Sequence, residues 1–513
     1  MNTQKFFFRL SVLMLAVLLL GSCSKDKEYS RVIPSNSPVV VSLNVQSIIT
    51  KGGLLDGKES IIKQMTASMN NQKLARLIQN PSKAGLSIKD NAYFFMTSEK
   101  EPGLVLRVTD KSDLEDAIKL MQADGMCDPL EKGTSYSWTV LHGYGICAFD
   151  NSSLLLLKTT NARSLPVKEH VEKLMTQSEN VGISSNKGFQ KMVAKKSDIG
   201  MFYSFASMPD ITSLSMKMGL PEGTDMRDLM TIVAVNFENG KIAADCEYYT
   251  ENDSLMAYIK KQSEMSGYIK QAFLNRFPSS SLMFLTASVK GDRLYKVLSS
   301  SQEFKNMVQS SRFTPGLDLK KSITALNGDV SMAISSFSEK GIPSFLAYAE
   351  VTDPAAAGIL YAFKSDFDQV GMTISSSGKN EYLVKSAMFP SPIHFGVRGN
   401  YFYLTNDENL YKNIGKEVAG SMAGARYEAV RNKTKGYFIL DMENIMNLPL
   451  VNGAFDRFGS QGKMVHSILS KFSYMEAYNV TENKGVINIF MKNKDENVLK
   501  QLIVGLQGVL GQN

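Results

Sequence analysis

The chain has 513 residues, 43% of them hydrophobic and 21% charged, with a formal charge of +7 and four cysteines. That length exceeds one ordinary hydrophobic core, so two or more domains are expected, and the composition is that of a folded globular protein. The basic excess is modest and sits in separate Lys-Lys pairs at 195–196, 260–261 and 320–321, not in a stripe or a known module, so no nucleic-acid partner is expected.

Residues 1–22 read as a bacterial export signal. Lys5 and Arg9 supply the positive start, and 10–20 is an apolar run too short for a comfortable membrane span. The run ends Leu20-Gly21-Ser22-Cys23, which resembles the lipobox of bacterial lipoproteins. The resemblance implies cleavage between Ser22 and Cys23. It also implies diacylglycerol on the Cys23 sulfur and an acyl chain such as palmitate on its amine. Several acyl chains hold a protein on a bilayer where one is marginal. Ser24 in place of an aspartate implies, by similarity to the sorting rules of enteric bacteria, the outer membrane, facing the periplasm or the cell surface. Residues 23–37 carry mixed charge and then Pro34, Ser35, Asn36 and Pro38 follow, a tether.

From there the chain reads as strands and helices. A strand over 39–45 precedes a helix predicted over 59–78 and a strand over 92–96. At 103–122 an alternating strand runs into a helix, with Ser112 and Glu115 at capping-box spacing. Similar strand–helix joints recur at 243–259, 343–363 and 486–503, where Asn252 or Asp253, Asp353, and Asp495 with Glu496 mark the helix starts. Three short strands over 134–158, joined by His142-Gly143 and by 150–153, look like an inserted meander. The order and spacing of these pieces recur, giving an α+β fold of two tandem homologous halves, 38–270 and 275–510. Each half would hold two β-α-β-β-α, ferredoxin-like units, at 38–122 and 198–266, then 278–363 and 434–506. Strand inserts fall at 134–158 and 380–405. Hairpins dominate, so mostly antiparallel sheets with helices on one face are expected.

Catalytic signatures are sparse. His142, His170, His394 and His466 have no second His or Cys at metal-ligand spacing, so neither metal nor cofactor is expected. The stretch Gly459-Ser460-Gln461-Gly462-Lys463 fails as a phosphate loop, because Arg457 and Met464 occupy its defining positions. Two S-x-x-K matches, Ser184 to Lys187 and Ser376 to Lys379, lack the companion motifs of serine acyltransferases. With Cys23 lipidated, three cysteines remain. Cys127–Cys147 is a conceivable disulfide, while Cys147 and Cys246 sit in apolar runs that suit buried, inert thiols. Trp138, Tyr144 and His142 in the first insert, with Tyr401 and His394 in the second, form a speculative ligand surface for sugar or peptide. Core packing is the competing reading, since aromatics are enriched in strands.

The lipobox, Val32-Ile33-Pro34 and the strand motifs from Val39 together resemble a Bacteroides-type family of cell-envelope lipoproteins defined as a domain of unknown function. That resemblance implies compartment and fold and brings no catalytic residues. The expectation is a non-enzymatic, membrane-anchored binding or scaffold module for a protein, peptide or glycan of the envelope. The alternative is an envelope hydrolase with an unfamiliar site between the two halves.

Overall fold

A computed structural model describes residues 26–510 except 55–62, 64–65, 68–70, 208–219, 221–223, 310–317, 340, 387–390 and 425–433. The export signal, Ser22 and Cys23 lie outside the described residues, as do 59–62, 64–65 and 68–70 of the helix expected over 59–78, whose described end lies in the helix Gln72–Gln79. Contacts divide the chain into two units. The first holds the chain up to Ser207, then Arg227–Thr250 and the segment from Lys494. The second holds Glu251–Asn493 and a short stretch ending at Met226.

The strands of the first unit are β1 (Val39–Leu43), β2 (Ala92–Met96), β3 (Pro102–Arg107), β4 (Glu131–Lys132), β5 (Ser137–Leu141), β6 (Gly145–Phe149), β7 (Ser153–Lys158), β8 (Ile199–Ser204), β9 (Met230–Glu238) and β10 (Lys241–Tyr249). They pair antiparallel in the order β4-β5-β6-β7-β3-β2-β1-β8-β9-β10. The second unit holds β11 (Ser266–Gly267), β12 (Met283–Lys290), β13 (Leu326–Phe337), β14 (Pro343–Val351), β15 (Met372–Gly378), β16 (Glu381–Ser386), β17 (Ile393–Arg398), β18 (Tyr401–Thr405), β19 (Gly436–Leu440), β20 (Phe472–Asn479) and β21 (Lys484–Met491). Their order is β15-β16-β17-β18-β14-β13-β12-β19-β20-β21, again antiparallel throughout, with β11 on the far end of β12.

This pairing overturns the expected tandem ferredoxin-like units. All five residues of β1 pair with β2 on one side and with β8 on the other. The two stretches read as separate β-α-β-β-α units therefore join edge to edge in one long sheet. The 134–158 meander is no insert, because β7 pairs with β3 and extends that sheet outward. The boundary also moves. Residues 251–270 belong to the second unit and the segment from Lys494 to the first.

Helices on one face are overturned too, at least in the first unit. Strands β3 and β6 are apolar at every buried position, as is β7 after Ser153, and successive side chains point to opposite faces. Leu104, Leu106, Leu154 and Leu156 face a core covered by the helices Val45–Gly52, Gln72–Gln79 and Lys111–Ala123. Val105, Leu155 and Leu157 face a second core, under the helices Leu165–Thr176 and Lys187–Ala194. The C-terminal helix Val498–Leu510 joins the first of these cores through Ile503. Gly52 permits this approach, since a Cβ there would fall 2.6 Å from Ile503 Cδ1.

Helix starts differ in detail from the sequence reading. Asp110, not Ser112, caps Lys111–Ala123, accepting from the amides of Ser112 and Asp113. Asn252 and Asp353 cap as expected. Asp495 and Glu496 precede the last helix, which begins at Val498.

One packing defect lies in the first core. An apolar cavity of about 80 Å³ separates Gln72–Gln79 and Lys111–Ala123 from the sheet. At roughly 24 cal/mol per Å³, a void of this size costs about 2 kcal/mol.

A single carboxylate ties the middle of this unit together. Asp198 is 3% exposed. It accepts from Ser47 Oγ, from Lys51 Nζ at 2.6 Å and from the Phe237 amide at 2.6 Å. Its own carbonyl accepts from the Asn44 amide at 2.8 Å. Helix Val45–Gly52, β8 and β9 thus meet at one side chain. Asp198→Ala strands the Phe237 amide and the Ser47 hydroxyl and leaves the half-exposed Lys51 ammonium without its partner. Urea unfolding is expected to show a loss of about 2 kcal/mol, whereas a loss below about 0.5 kcal/mol would show the pin to be dispensable.

Candidate functional site

One end of the first sheet gathers three chain segments. The register sets Gly145 opposite both Leu141 and Lys158, and Gly103 opposite Leu157. The β2–β3 turn, the β5–β6 turn and the chain leaving β7 therefore emerge side by side. Between them lies an open groove of about 700 Å³. Lys100, Glu101, Tyr144, Lys158, Asn161 and Arg163 are among its lining residues, with Val140 and Leu141 as its apolar floor.

Local backbone rules place these groups. Lys100 has φ 66°, a conformation few non-glycine residues adopt, and its amide closes the turn onto the Thr97 carbonyl at 3.0 Å. Gly145 has φ 156°, and a Cβ there would lie 2.1 Å from the Leu157 carbonyl oxygen, so the tight crossing of β6 over β7 requires glycine.

The groove is bordered by a charged triplet. His142 sits exposed in the β5–β6 turn. Its Nδ1 lies 2.9 Å from the Gly125 carbonyl and its Nε2 lies 2.7 Å from Asp128 Oδ1. Arg163 grips the other oxygen of Asp128 through Nη2 at 2.6 Å and Nε at 3.1 Å. Both imidazole nitrogens face acceptors, so the geometry suits two N–H donors, the imidazolium. The bond to Asp128 raises the His142 pKa, with the Gly125 carbonyl adding to it, and the same bond lowers that of Asp128, with Arg163 assisting. An imidazole so engaged has no lone pair left for a substrate proton. At the opposite rim Glu101 is held by His170 Nδ1 at 3.1 Å.

The five speculative ligand residues do not form one surface. His142 borders the groove and Tyr144 lines it, although most of the Tyr144 ring is buried in the first core. Trp138 is 9% exposed and packs into the other core, with Lys168 Nζ 4.6 Å from its ring centre. His394 and Tyr401 belong to the second unit. His394 stacks on Tyr411 at 3.8 Å and places Nε2 3.0 Å from Glu408, while its Nδ1 is buried without a partner. Tyr401 lies under Arg276, 4.6 Å from ring centre to guanidinium carbon. Arg398 grips Glu381 at 2.8 and 3.0 Å, with Tyr403 donating to the same carboxylate at 2.9 Å. Arg398 lowers the Glu381 pKa, and burial with the Glu381 bond drives that of Tyr403 upward. These rings and cations pack against one another.

Other candidates separate. Ser184 is buried and donates to the Glu179 carbonyl at 2.9 Å, and Ser376 donates to the Gly378 carbonyl at 3.2 Å, so neither hydroxyl is directed at its motif lysine. Cys127 and Cys147 are free and buried, and burial pushes the Cys147 thiol up to about 12. Among the described residues no three His, Cys, Asp or Glu side chains cluster as metal ligands.

A family model described as a domain of unknown function, DUF4836, matches residues 29–499. The chain belongs to the DUF4836 family. No curated protein matches it. Among solved structures, crystal form I of TP0453 aligns at 8% identity and TM-score 0.25, covering 46% of this chain and 84% of that one. Crystal form III aligns at 8% identity and TM-score 0.24, covering 47% and 87%. In this DUF4836 chain, sequence reading missed Asp128, Lys100, Lys158 and Arg163. Each is an ordinary charged residue in a turn or at a strand end, and only the β5–β6–β7–β3 pairing brings them together.

The triplet carries a pH signature. A raised histidine pKa contributes stability that is complete below the unfolded value near 6.5 and is lost as pH rises through the folded value. NMR titration of His142 is expected to give a midpoint above 6.5, falling toward it in Asp128→Asn. A wild-type midpoint at or below 6.5 would contradict the doubly donating ring.

Proposed function

We propose that this protein is a non-enzymatic lipoprotein of the bacterial cell envelope, anchored in the outer membrane through acylated Cys23. Its first unit would bind an extended, acidic chain of envelope peptide or glycan. The observation that carries this reading is the open groove. It offers about 700 Å³ of open space, it brings Lys100, Lys158 and Arg163 to its walls, and its neighbouring imidazole is fully engaged. The anchor rests on the Leu20-Gly21-Ser22-Cys23 sequence behind a charged and apolar leader. No helix among the described residues is long and apolar enough to cross a membrane.

Trp138 is the chain's one tryptophan and lies two residues before Val140 of the groove floor, so its fluorescence can report occupancy. Titration with oligoglutamate and with oligogalacturonate is expected to saturate with at least one of them, while neutral oligomers of equal length do not bind. Lys100→Glu with Lys158→Glu should weaken binding at least tenfold, and added salt should weaken it further. Equal binding of neutral chains, or none of either acid, would remove the groove from consideration.

The anchor has its own test. Mass spectrometry of protein extracted from native membranes should find Cys23 as the amino-terminal residue carrying diacylglycerol and an amide-linked acyl chain. Cys23→Ala should move the protein to the soluble fraction. An unmodified, uncleaved amino terminus would refute the anchor.

A further inference from the structure

The apolar cavity of the first unit is a different kind of site from the groove. Its walls come from both sides of the helix–sheet interface. Leu104 and Leu106 of β3, Leu154 and Leu156 of β7, Cys147 of β6 and Leu141 of β5 form the floor, and Leu74, Leu77, Leu114, Ala117, Ile118 and Met121 stand above it. Among the described residues no charged or hydrogen-bonding side chain lines it, apart from the weakly polar thiol of Cys147. Water needs two to four polar partners to occupy such a space, so this one stays dry.

Its shape and its exit narrow the choice of guest. The floor crosses four neighbouring strands, β5-β6-β7-β3, which at strand spacing is about 14 Å. A space of about 80 Å³ drawn out over that span is a slot, not a sphere, and it fits a straight chain better than a ring. Leu77 is the half-buried member of the lining, whereas the others are buried, so the slot comes nearest to solvent at the end of helix Gln72–Gln79. Just past Leu77, Asn80 Oδ1 is buried and accepts no hydrogen bond. Pro81, the next residue, lines the cavity, so the Asn80 amide, with N–H groups to donate and an oxygen to accept, lies beside the apolar slot and matches an amphiphile with one hydrocarbon tail and a polar head.

We propose that this cavity is a binding site for a single straight acyl chain, with the head group at Asn80. The site takes the chain from a free fatty acid or from a monoacyl lipid, since the walls meet only the tail. It is separate from the groove and does not depend on the groove's ligand.

The mature full-length protein is titrated calorimetrically with dodecanoate and, separately, with dodecanoyl lysophosphatidylcholine, each below its micelle concentration. One saturable equivalent is expected for at least one of the two. Binding of both means that the tail alone is read, and binding of dodecanoate alone means that the head must be small. Either result supports the site. Ala117→Leu fills the slot and should weaken binding at least tenfold while circular dichroism stays unchanged. If that variant does not fold, Leu114→Phe serves the same purpose. Lys100→Glu, in the groove, should leave acyl binding intact. No saturable uptake of either probe, or uptake undiminished in a folded slot-filling variant, overturns the proposal.

Discussion

The middle strands of the first unit have no solvent face, and most of its structure follows from that. Along β7 every residue from Ser153 to Leu157 is buried, with leucines alternately entering two different cores. A strand buried on both sides needs an apolar cover on each side, and helices supply it. Polar and charged groups are then displaced to the strand ends, where backbone turns and water are available. The groove sits at such an end for that reason. Its charges gather where the two-sided burial stops.

The second unit repeats the strand order with different filling. Where the first unit uses leucine on leucine, the second uses rings. Phe273 stacks on Tyr348, Phe277 meets Phe284 and Tyr348 edge-on, and Tyr382 stacks on Phe395. Large rings bring hydroxyls and accept cations on their faces, so Arg276 and Arg398 can lie within this layer. A fully buried carboxylate, Asp329, is accommodated by accepting from the Lys270 and Ala272 amides at 3.0 Å. One strand order therefore accepts two core chemistries, with most of the polar groups named here, Asp329 and Glu381 among them, finding partners.

Local structure was legible in the sequence where its cause is local. The strands near 39–43, 92–96 and 199–204, the turn at His142-Gly143 and the caps at Asn252 and Asp353 follow from alternation, turn residues and capping chemistry within a few positions. Pairing was not legible. Nothing within Val39-Val40-Val41-Ser42-Leu43 says that its second neighbour is a strand about 160 residues later, because that choice is made by the whole sheet. The two-sided burial was hidden for a related reason. A run such as Leu154-Leu155-Leu156-Leu157 shows no alternation from which a face can be read. The groove was legible only through His142 and Tyr144. Its cations come from two stretches far apart along the chain, Lys100 in the β2–β3 turn and Lys158 with Arg163 at and just past the end of β7, and no motif links them.

The last helix bears on how the molecule is made. The first unit contains the segment from Lys494, which follows Glu251–Asn493 of the second unit. Asn497 donates to the Phe237 carbonyl at 2.9 Å, Glu496 accepts from the Gly240 amide at 3.0 Å, and Ile503 enters the core beside Gly52. A ribosome working from the amino terminus delivers those groups only after Glu251–Asn493 of the second unit. The first unit therefore stays incomplete until the second has been made, with one core open to solvent over that interval. The unit that begins first along the chain is thus closed only after the other has been synthesised.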